Sequence, residues 1–136
     1  MQIGRRGLFC IFIASLLIAS CSRPDRDELY GEYVAEYSFG TQRLILRQDG
    51  TYTQVVHVND VADSIVHSGV WEYWEEFWDV ALVDGLHIQD AWGGLAGGYQ
   101  TPFDGYVLCG VHRFFPWNPI RLGSDELVQL EKLEVD

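Results

Sequence analysis

The stretch LILRQDGTYTQVVHV constrains the fold more than any other part of the chain. Leu44 and Leu46 fall on one face, with Arg43, Ile45 and Arg47 on the other. After Asp49-Gly50 the alternation resumes, with Tyr52, Val56 and Val58 opposite Thr51, Thr53 and His57. Period-2 patterning on both sides of an Asp-Gly pair predicts a β-hairpin, because glycine accepts the positive φ of a tight turn without steric cost. Val55 shares the polar face, so the pattern is good without being clean.

The same logic carries down the chain. IVHSGVWEYW and FWDVALVDG form a second predicted hairpin with Glu75 and Glu76 near its tip; Trp78, Val80 and Leu82 share one face, opposite Asp79 and Ala81. Gly69, ahead of Val70-Trp71, suggests a bulge or a close approach of another group. Unbroken alternation puts His67 on the face of Trp71. Beyond Ile88 a glycine-rich stretch, including GGLAGGY at 93–99, reads as a long loop, and YVLCGVHRFF, PIRLG and ELVQLEKLEV are further strand candidates. The last also fits a helix capped by Ser124, with Leu127, Leu130 and Leu133 three apart; the strand is preferred. About eight short strands, joined in sequence by turns and with no convincing internal helix, predict an all-β fold: a small antiparallel up-and-down meander closing as a barrel, which removes exposed edges.

The N-terminus carries an address. Arg5 and Arg6 precede an apolar stretch from Leu8 to Ile18, which is shorter than the ~18 to 20 residues a membrane-spanning helix needs, so 1–20 read as a signal peptide. Ile18-Ala19-Ser20-Cys21 resembles the bacterial lipobox, where cleavage precedes a cysteine that then carries a diacylglyceryl group. The resemblance implies lipidation at Cys21, a membrane partner through that anchor, and, with Ser22 next, the outer membrane, facing the periplasm. Residues 21–28 are the lipidated cysteine and a polar spacer, leaving 29–136 as one domain. From residue 21 on, seven basic residues stand against twenty acidic ones, a formal charge of −13. This excludes nucleic acid as a natural partner and favours cationic ones.

Within the domain, YGEY (Gly31, Tyr33), LILRQDGTY and SGVWEY (Gly69, Trp71) resemble small bacterial lipocalin-like domains, which share an early G-x-[WY], an L-x-L-x-x-D-G-T-[FY] hairpin and a later G-x-W. The resemblance spans roughly residues 29–83 and implies a lipocalin-like barrel with a habit of binding, without naming a ligand. Tyr33 stands where lipocalins usually have Trp. A barrel of this size either fills with side chains or holds one small ligand.

The remaining motifs narrow the chemistry. WEYWEEFWD interleaves aromatic rings with four carboxylates, a composition suited to a glycan surface as well as to ordinary strand alternation. His57, His67, His87 and His112 show no metal-ligand spacing, so no metal or other cofactor is expected. Cys109 lies in an apolar run and reads as a buried thiol; no nucleophile elbow or phosphate loop occurs, and an enzyme is not expected. Two binding modes remain. In one, Trp71, Trp78 and Trp92 wall a site for a small apolar or amphipathic molecule, with the loop at 93–105 at its mouth. In the other, a filled barrel meets a cationic protein partner, or acts as an inhibitor, through an acidic outer face of Glu72, Glu75, Glu76 and Asp79.

Overall fold

The computed structural model describes residues 23–88, 105–123 and 129–134. Residues 1–20, expected to be a signal peptide, Cys21, Trp92 and the glycine-rich 93–99 stretch lie outside the described residues. Eight antiparallel strands follow one another around a closed barrel: β1 (Gly31–Tyr37), β2 (Gly40–Leu46), β3 (Thr51–Val58), β4 (Ile65–Trp74), β5 (Asp79–Val83), β6 (Tyr106–His112), β7 (Arg121–Leu122) and β8 (Leu130–Lys132). Each pairs with its neighbours in sequence, and β8 returns to β1. Over Leu130–Lys132 the C-terminal segment is therefore a strand, because its backbone groups close the ring with β7 and β1.

The first hairpin forms as its residues dictate. Gly50 has φ 84°, and the Asp49 carboxylate accepts hydrogen bonds from the Thr51 amide at 2.9 Å and hydroxyl at 2.7 Å. Those bonds, the hydroxyl's foremost, hold the Asp49 carboxyl below the ordinary carboxylate range.

Alternation then sorts side chains into the barrel. Tyr33, Leu44, Gln54 and His67 are successive cross-strand partners, as are Leu46, Tyr52 and Gly69 one level nearer the base. Gly69 marks a close approach and no bulge: the register through it is regular, and a Cβ there would meet the Tyr52 ring at 2.8 Å. Missing side-chain volume on β4 is filled by an aromatic ring from β3.

At the level of the base the interior is solid. Trp71, Tyr33, Tyr52, Leu44, Leu46, Leu82 and Leu122 are fully buried. Their polar tips find backbone carbonyls: Trp71 Nε1 donates to Arg47 at 2.9 Å, Tyr33 to Leu29 at 2.8 Å and Tyr52 to Val83 at 2.8 Å. Burial pushes the Tyr52 phenol up to about 12 and raises that of Tyr33 as well. Residues 23–30 close this end. A 3-10 turn over Arg26–Glu28, tied by the Asp25 amide to Glu28 Oε2 at 2.8 Å, drives Leu29 into the core and sets the Arg26 guanidinium 4.8 Å above the Trp71 ring.

One sequence expectation needs correction. Trp78 does not share the inward face of Val80 and Leu82: it ends the β4–β5 turn in a left-handed conformation, φ 59°, and β5 begins only at Asp79. The positive φ breaks the alternation at that residue, so Val80 and Leu82 are buried while Trp78 is exposed.

Candidate functional site

Named by their ends, the strands define a base, where β1 begins and β4 meets β5, and a mouth, where β1 turns into β2 and β5 leads toward β6. The described binding residues expected from the sequence, Trp71 and Trp78, both lie near the base but on different sides of the wall. Trp71 is sealed in the core just above the base, and Trp78 stands outside at the base with the Arg23 guanidinium 4.4 Å from its ring centroid. Trp74 takes a third direction, on the outer wall, donating Nε1 to Glu72 at 2.9 Å and packing on Tyr106 with ring centroids 5.1 Å apart. The rings of the Trp-rich hairpin thus share no common platform, and Trp71 and Trp78 do not face one interior cup.

What the fold does bring together is a cleft on the outer wall near the base, of about 710 Å³, between the β4–β5 turn and the segment after β6. Glu76, Phe77, Trp78 and Asp79 line one side; His112, Arg113, Phe114 and Arg121 line the other. Of the proposed acidic face, Glu76 and Asp79 therefore share one concavity with Trp78, while Glu75 stays on the turn and Glu72 lies on the wall beside Trp74. The volume falls in the ~300 to 1,000 Å³ typical of small-molecule sites.

The charges of the cleft are unequally engaged. Arg113 Nη1 lies 2.7 Å from Glu28 Oε1, and Arg121 pairs with Glu131 at 2.8 Å. Arg113 is a nearly buried guanidinium, and its hydrogen bond is the main reason that the Glu28 carboxyl is held below the ordinary range. His112 Nε2 lies 2.8 Å from the Gly123 carbonyl oxygen. Among the described residues no hydrogen bond or ion pair holds the carboxylates of Glu76 and Asp79. The arginines are committed to the scaffold; the carboxylates face the cleft with aromatic rings beside them.

The other titratable candidates take structural positions. Cys109 points inward opposite Val80, and burial, followed by the nearby Asp79 charge, pushes its thiol up to about 12, which disfavours the thiolate. His57 is on the outer surface, and His67 points into the barrel beside Gln54 as its alternation predicts. Among the described residues no group of His, Cys, Asp and Glu is arranged to hold a metal ion.

Phe77, His112, Arg113, Phe114 and Arg121 were not singled out by residue pattern. A signal for part of the cleft was present: Phe114, Phe115 and Trp117 crowd around Pro116 immediately after a strand, where bulky rings cannot follow an inward alternation. No family model, curated protein or solved structure matches this chain.

Proposed function

We propose that this protein is a lipid-anchored envelope lipoprotein, tethered at Cys21 to the outer membrane. Its barrel, lipocalin-like in strand plan, is a filled scaffold for a binding cleft on its outer wall. The ligand is a small amphipathic molecule with a cationic group, its apolar part against Phe77, Trp78 and Phe114 and its charge toward Glu76 and Asp79. The observation that carries this reading is the pairing of free carboxylates with aromatic rings in one concavity of small-molecule size, while the two arginines that line it, Arg113 and Arg121, are already paired with Glu28 and Glu131. Aromatic faces and carboxylates attract a cation by the same sign of electrostatics, and the strongly acidic chain adds a diffuse field. The solid packing around Trp71 and Tyr52 supports a site outside the barrel wall over one at its centre.

The test is a titration of the full-length protein with an alkylammonium amphiphile, followed by tryptophan emission. Saturable binding should weaken about tenfold in Trp78→Ala, the equivalent of ~1.4 kcal/mol, and should weaken further as salt rises. Binding that is indifferent to Trp78→Ala and Asp79→Asn would overturn the cleft. Loss on raising salt without any contribution from Trp78 would favour the second reading, a cationic protein docked on the acidic turn.

A further inference from the structure

The base of the barrel carries an apolar rim that the core does not use. Phe77 is 66% exposed, Phe114 75% and Trp117 71%, although the aromatic rings of Tyr33, Tyr52 and Trp71 a short distance away are fully buried. These rings come from two separate connections, the β4–β5 turn and the segment between β6 and β7. Trp117 is held in place by stacking on Phe115, with centroids 4.9 Å apart and planes 2° from parallel, and Phe115 meets Phe114 edge-on at 4.9 Å. A large apolar side chain kept in water forgoes the free energy of burying it. A cluster of this kind on one end of a monomer marks a contact surface.

The direction of the chain says which surface it meets. The Tyr73 hydroxyl donates to the Pro24 carbonyl at 3.2 Å, and Arg23 lies over Trp78, so the described chain begins at this same end. Cys21 is two residues earlier, a reach of at most ~7 Å for extended backbone. We propose that the barrel stands base-down on the bilayer that holds the Cys21 acyl chains, with Trp117 at headgroup depth, Phe77 and Phe114 bordering the cleft above it and open to its ligand, and the mouth turned away from the membrane. This rests on the tether proposed above. Tryptophan favours the headgroup layer because its apolar body and its polar indole N–H match that layer's two environments, and its insertion adds to acyl anchoring. Asp25, Asp27, Glu75 and Glu76 also lie at this end and oppose a strongly anionic surface, so the bilayer face that fits is zwitterionic.

The full-length protein, extracted from its envelope, should be weighed intact and then reconstituted in phosphatidylcholine vesicles whose acyl chains are brominated near the headgroup. The expected result is a mass that includes acyl chains and tryptophan emission quenched by bromine. The quenched fraction should fall at least twofold in Trp117→Phe, a substitution that keeps the stack on Phe115 and leaves the cleft residues in place. A mass without acyl chains would overturn the tether and the docking with it. An acylated protein whose quenching is absent, or the same in Trp117→Phe, would overturn the docking alone and assign the aromatic rim to a protein partner.

Discussion

The two ends of the barrel are built from the same strands but solve burial differently. At the base the interior is aromatic, and each buried phenol or indole donates to a backbone carbonyl; residues 23–30 lie across it as a plug. Toward the mouth the interior turns polar. Gln42 accepts a hydrogen bond from the Tyr37 hydroxyl at 2.8 Å, and Gln54 exchanges two bonds with the Leu86 backbone, at 3.1 and 2.8 Å. His67 projects beside them with Nε2 buried and, among the described residues, no hydrogen-bond partner. The contrast teaches that closure of the ring does not require a uniform core: apolar bulk holds the base, whereas side-chain amides pin the backbone near the mouth.

That contrast can be broken or sharpened by substitution. The largest effect is expected at the base, where Trp71→Ala removes a buried indole, opens a cavity and releases the β2–β3 turn. The loss should be ~3 to 5 kcal/mol, read as a lower urea midpoint. Gln54→Leu should cost less, ~2 kcal/mol, because it strands the amide and carbonyl of Leu86 without removing bulk. If the Gln54 variant proves the more damaging of the two, the mouth and not the base is the keystone, and the comparison is reversed. Gly69→Ala should cost ~1 to 3 kcal/mol by driving a methyl into the Tyr52 ring, and the further change Tyr52→Leu should recover part of that loss in thermal unfolding.

Smaller effects sharpen the picture of the plug. Tyr73→Phe removes the bond to Pro24 and should lower stability by ~0.5 to 1.5 kcal/mol, with faster amide exchange confined to residues 23–30. The smallest is a pH effect. Because Arg113 holds the folded-state pKa of Glu28 below its ordinary value of 4.5, the pair contributes stability that is present above that pH and is lost as pH falls through the folded value. Urea midpoints measured between neutral and acid pH should therefore decline more shallowly in Glu28→Gln. An unchanged slope would show that solvent at the exposed Glu28 end screens the pair to nothing.

How much of this was legible in the sequence varies with the length of the paired strands. β1 to β4 pair over six or seven positions, and their alternation is long enough to reveal which residues face inward. β6 to β7 and β7 to β8 pair over two positions each, too few for any period to show. Arg121–Leu122 and Leu130–Lys132 are strands because the ring needs closing there, a long-range demand that a local window does not contain. Trp78 is the instructive miss. Its spacing from Val80 and Leu82 suits an inward face, yet the turn it terminates requires a left-handed residue, and turn geometry overrides periodicity at that position.

The sequence by itself determined an all-β chain of successive hairpins, an acidic surface and an inward set headed by Leu44, Leu46, Tyr52 and Val56, because period-2 patterning and the Asp49-Gly50 turn are local properties. Only the tertiary structure decided that Trp71 and Trp78 part company, that Glu76 and Asp79 meet Phe114 across a cleft, and that the aromatic rim lies at the end where the described chain begins. The first follows from the left-handed turn residue Trp78, whereas the other two join residues more than thirty positions apart and arise from barrel closure, which sets distant turns side by side.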